Sequence, residues 1–110
     1  MTTKYKSLTQ FDVIRRRAYA RAKCQADFRF EDWNLKWTDF CKFWPSEEIW
    51  ALRGTKAHCI CLTRRDHTKP WDAKNCCLMN RGDILAINNR SKHGLPVDHI
   101  WVRARFLKDL

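Results

Sequence analysis

The chain has 110 residues with 22 Lys and Arg against 12 Asp and Glu, a net charge of +10. It is 45% hydrophobic with six Trp and six Phe, which excludes a disordered tail and fits one small domain that fills its core with large rings. No apolar run approaches the length of a membrane span, and the opening MTTKYKSLTQ has no apolar h-region, so a cytoplasmic protein without membrane partners is expected.

Residues 1–8 read as a basic flexible tail, and 9–110 as a single α+β domain. Thr9 with Asp12 forms the pattern of a capping box, opening a helix that runs to about Phe28. Phe11, Ile14, Ala18 and Ala22 give that helix its apolar period. Arg16, Arg17, Arg21 and Lys23 fall away from this stripe and make a wide basic face. Four cations with no intervening acid repel one another, and a polyanion relieves that repulsion.

Asp32 or Asn34 is placed to cap a second helix, in which Trp33, Trp37, Phe40, Cys41 and Trp44 form an aromatic core stripe that Pro45 ends. Ser46, followed by Glu47 and Glu48, caps a short third helix with Ile49, Trp50 and Leu52 inward, ending at Gly54. The run from His58 to Thr63 suits a strand, Arg64–Trp71 a polar turn, and Asn75–Met79 a second strand. Asn80 with Asp83 starts a helix to about Lys92, with Ile84, Leu85 and Ile87 inward and Gly94 as its stop. From Val97 to Leu107 strand alternation and helical spacing fit equally well.

Charge is distributed unevenly. Residues 1–26 carry seven basic groups and one acid; residues 27–48 carry six acids and three basic groups; from Arg53 onward twelve basic groups face five acids. This points to a polyanion, with DNA ahead of RNA. Arg64, Arg65, Arg81 and Arg90 join the first helix as candidate phosphate ligands. A rival arrangement has Arg64 and Arg65 pairing with the acidic block and knitting the fold together. A reducing compartment argues against disulfides, and Cys24 and Cys41 read as small core residues. Cys59, Cys61, Cys76 and Cys77 are a weak candidate Zn2+ set, since the spacing lacks C-x2-C knuckles.

A hairpin leading into a capped helix, over about residues 58–92, resembles the ββα-metal (HNH) nuclease unit. The residues that carry the resemblance are Leu62, Arg64, Asp66, Trp71, Asn75, Cys76, Asn88, Asn89 and Arg90, with Trp37, Phe40, Phe43 and Arg53-Gly54 upstream. As an ensemble they look like a degenerate HNH-like phage protein. The elements together give N-terminal helices packed on a ββα unit; the resemblance implies a strand-borne His as base, an Asn tightening the loop, and a His or Asn on the helix binding Mg2+ or a similar ion at the scissile phosphate. Arg64 stands where that His belongs, and a guanidinium accepts no proton at neutral pH. His67 and His58 are out of register, so the candidate catalytic set is His67 (or His58), Asp66 and Asn75. The sequence therefore favours a non-catalytic nucleic-acid-binding protein. The alternatives are a metal-dependent HNH-type endonuclease and a phage protein that docks on a host protein.

Overall fold

The computed structural model describes residues 9–104; the expected tail over residues 1–8 lies outside them. The fold is α+β, as expected. The elements are α1 (Gln10–Phe28), α2 (Trp37–Phe43), α3 (Glu47–Trp50), β1 (Ile60–Arg64), β2 (Cys76–Asn80), α4 (Arg81–Lys92) and α5 (Asp98–Ala104).

α1 starts where the sequence places it. The Thr9 hydroxyl accepts from the Asp12 amide at 3.0 Å, and the Asp12 carboxylate accepts from the Thr9 amide at 3.3 Å. Its end is less ordinary. The Glu31 amide donates to the Ala26 carbonyl at 2.8 Å and the Phe30 amide to Asp27 at 3.0 Å, the paired bonds of a Schellman turn. That turn needs a left-handed residue, and here it is Phe30, at φ 59°.

The second helix begins later than expected. Residues 32–34 are extended and pair with the hairpin tip: the Trp71 amide donates to the Asp32 carbonyl at 2.9 Å, and the Asn34 amide to Trp71 at 2.7 Å. α2 then starts at Trp37, with the Asp39 carboxylate accepting from the Lys36 amide. Ser46 caps α3 by accepting from the Ile49 amide at 3.2 Å.

β1 and β2 form an antiparallel pair, Ile60 opposite Asn80 and Arg64 opposite Cys76. α4 follows β2 at once, and Asn80 supplies no side-chain cap. Gly94 takes φ 69° in the turn after α4, a conformation glycine adopts without steric cost. The ambiguous tail is helical over α5, whose Ile100 is buried.

The core joins both halves of the chain: Leu35, Phe40, Trp44, Ile60, Cys76, Cys77, Met79, Ile87 and Ile100. Edge-to-face rings brace it, with Tyr19 against Trp33, Trp37 and Phe40, and Trp50 against Trp44. The aromatic stripe is thus core, as its spacing implied. Four inward assignments are corrected. Ile14 of the α1 stripe is exposed, as are Leu52, in the turn after α3, and Leu85, on the solvent face of α4. Cys24 is exposed on the outer face of α1.

Candidate nucleic-acid interface

The exposed face of α1 is built by helical spacing alone. Arg17 and Arg21 lie one turn apart on one line; Arg16 and Lys23, two turns apart, lie on a second. All four are exposed. Among the described residues Arg17, Arg21 and Lys23 have no ion-pair partner, and Arg16 rests its guanidinium 4.9 Å from the Trp37 ring centre. Asp12 is taken by Arg15, which also donates to the Trp44 carbonyl at 2.9 Å. Asp27 forms no ion pair with Lys23 one turn before it. The helix therefore presents four cations that no carboxylate among the described residues neutralises.

The second predicted group separates. Arg64 is 7% exposed and is not a phosphate ligand. It donates to Glu31 at 3.0 Å and to the Lys69 carbonyl at 2.9 Å, with its guanidinium 5.2 Å from the Trp71 ring centre. This is the rival arrangement, in which the acidic block knits the fold. Glu31 also accepts from the Trp71 indole at 3.1 Å and from Arg29 at 3.2 Å. Burial raises the Glu31 carboxyl's pKa, but these donors and the Arg64 charge outweigh it and hold the group below its ordinary value. Arg65 is exposed beside the hairpin tip. Arg81 is half-buried at the start of α4, and Arg90 donates to the Pro96 carbonyl at 2.7 Å, tying α4 to the turn before α5.

The candidate catalytic residues also divide. Asn75 is a loop staple. Its side-chain oxygen accepts from the Asp66 amide at 2.9 Å, and its nitrogen donates to the carbonyls of Asp66 and Pro70, both at 2.9 Å. It is buried, and both of its N–H donors are committed to loop carbonyls. Asp66 accepts from the Thr68 amide and hydroxyl, which with the Lys69 charge keep its carboxyl ionised below the ordinary range. His67 shares a cleft of about 550 Å³ with Arg65, Asp66, Asn88 and Trp101. Partial burial, with Arg64 acting the same way, holds its imidazole below the usual 6.5, so it is neutral at pH 7. His58 lies before the other end of β1, a strand about 16 Å long, and does not join this cleft.

The thiols do not converge on a zinc ion. Cys61 sits opposite Met79, while Cys77 faces Thr63 and Cys76 faces Arg64, two and three rungs along. Among the described residues no group of three or more His, Cys, Asp or Glu has the arrangement of a metal site. Burial pushes the Cys76 thiol up to about 12, which makes it an inert core group.

One feature was missed from sequence. A groove of about 510 Å³ opens between α1 and β1, lined by Ala18, Ala22, Phe40, Arg53 and Leu62. Arg53 lies 3.9 Å from the Trp50 ring centre and faces no acidic partner among the described residues. The small Ala18 and Ala22 side chains were a visible signal, but what lies across from them was not.

Comparison with protein-family models, curated proteins and solved structures gives no match to this chain. No helix among the described residues is long and apolar enough to cross a membrane.

Proposed function

We propose that this is a nucleic-acid-binding protein that holds phosphates on the outer face of α1 without strong sequence choice, with DNA the favoured target. The observation that carries it is the set of four exposed cations on one helix, Arg16, Arg17, Arg21 and Lys23, with no carboxylate partner among the described residues. Arg65 extends the same sign of charge to the hairpin tip. The test is affinity measured against salt by fluorescence anisotropy. Converting the four residues to Gln removes about 0.7 to 0.9 from the log–log salt slope per phosphate contact, a total near 3. Absence of binding at about 50 mM salt, where phosphate contacts are near their strongest, rejects the reading in favour of docking on a host protein.

A second reading is supported by the cleft that holds Asp66, His67 and Asn88 together. A neutral imidazole beside an ionised carboxylate is the equipment for metal-assisted phosphodiester hydrolysis, the HNH-type alternative. Asp66 would hold the ion, with water filling the rest of its shell, and the ion would stabilise charge on the scissile phosphate; His67 would serve as the base. Plasmid cleavage with Mg2+ or Mn2+ that Asp66→Ala abolishes supports it; an intact plasmid with either metal rejects it.

A further inference from the structure

The C-terminal end of α1 carries two aromatic rings that do nothing for the fold. Phe28 is 85% exposed and Phe30 is 96% exposed, and among the described residues neither enters a ring pair or the core. Phe30 is also the left-handed residue of the Schellman turn, at φ 59°. A side chain there carries a steric penalty that glycine would avoid, and an exposed phenyl ring offers no burial to offset it. Local strain combined with an idle aromatic is the signature of a residue kept for contact with something else.

Its neighbours indicate what that is. Arg17, Arg21, Cys24 and Phe28 follow one another at spacings of four, three and four, on one line of the helix. The two guanidinium groups, unpaired among the described residues, therefore lead to the Phe28 ring about 10 Å beyond Arg21 along the axis, and Phe30 follows two residues later in the turn. Cations that track a backbone and aromatic faces that take bases are the two parts of a single-strand site. A base inside a duplex keeps its face covered, whereas an unpaired base offers it.

We infer that Phe28 and Phe30 stack on unpaired bases of a strand whose phosphates lie on Arg17 and Arg21, so that the protein prefers single-stranded nucleic acid to duplex. The inference rests on the nucleic-acid reading above.

The test compares a dT oligonucleotide of about 12 residues, within the usual site size, with a duplex of equal phosphate number. Three proteins are used: wild type, Phe28→Ala and Phe30→Gly. Wild type is expected to bind the single strand more tightly. Each substitution is expected to weaken single-strand binding by about 5- to 150-fold, the range for loss of one stacked base, and to leave duplex binding unchanged. Phe30→Gly is also expected to raise the melting temperature by about 4 to 8 °C, because the strain is released. A melting temperature at or above the parent's shows that lost affinity is not lost structure. Equal binding of both substrates, untouched by either substitution, overturns the stacking role and leaves the phosphate-binding face standing. No binding of either substrate by wild type overturns both. Self-association that Phe28→Ala abolishes, without effect on nucleic acid, assigns the rings to a second copy instead.

Discussion

Replacing Asn75 tests the account of the hairpin tip most directly. Its amide makes three bonds of 2.9 Å and a fourth, to the Lys69 carbonyl, of 3.4 Å. All lie within the 66–75 loop, and the residue is 9% exposed. Each of the three short bonds contributes about 1 kcal/mol net. Asn75→Ala also leaves the Asp66 amide and two carbonyls without their partner. The expected loss is therefore about 3 kcal/mol, out of the 5 to 15 kcal/mol usual for a domain of this size. Urea unfolding followed by tryptophan fluorescence measures it, and in a melting experiment the shift is about 12 to 24 °C downward. Asn75→Asp sharpens the test. It keeps the acceptor but turns lone pairs toward the Asp66 and Pro70 carbonyls, so at neutral pH it is at least as damaging as alanine. Repulsion of the ionised form raises the folded-state pKa of the new carboxyl, so the folded state binds its proton more tightly and stability returns as pH falls. A loss below about 1 kcal/mol for Asn75→Ala, less than one hydrogen bond, refutes the staple.

Three further outcomes follow from the same coordinates. Glu31→Gln strands the buried Arg64 guanidinium and is expected to cost about 2 kcal/mol at pH 7, a buried-pair value reduced because Glu31 is partly exposed. The folded-state pKa of Glu31 is depressed, so its contribution is complete above the ordinary 4.5 and is lost as pH falls through the folded value; melting curves against pH are expected to show the variant flatter than wild type in that acid range. Trp44→Ala removes a side chain that is 1% exposed and is expected to cost about 3 to 5 kcal/mol by chemical denaturation. Iodoacetamide near neutral pH is expected to modify exposed Cys24 in the native protein and to spare Cys76, as peptide mass spectrometry reports; early Cys76 labelling contradicts its burial.

Local chemistry was readable from the sequence, and long-range pairing was not. The Thr9–Asp12 capping box fixes the start of α1, and the strands of the hairpin fall within two residues of their expected limits. Trp33 and Trp37 mimic one helical turn, so residues 32–36 read as helix. What wins there is pairing with Trp71, 37 residues or more away in sequence. Arg64 was read as a phosphate ligand for the same reason, since its partner Glu31 lies 33 residues earlier. The four cations of α1 were legible because helical spacing alone decides their face. The exposure of Phe28 and Phe30 was not, since it depends on which elements lie across from the end of α1.

The hairpin is fastened at both ends by main-chain atoms to the segments that follow α1 and α3. The Ile60 amide reaches the Leu52 carbonyl at 2.8 Å, and Trp71 pairs with Asp32 and Asn34 at the tip. Side-chain changes along β1 therefore leave its distance from α1 nearly untouched. The space between the two behaves like a slot spanned by fixed struts: its lining is free to diverge in chemistry while its width is inherited.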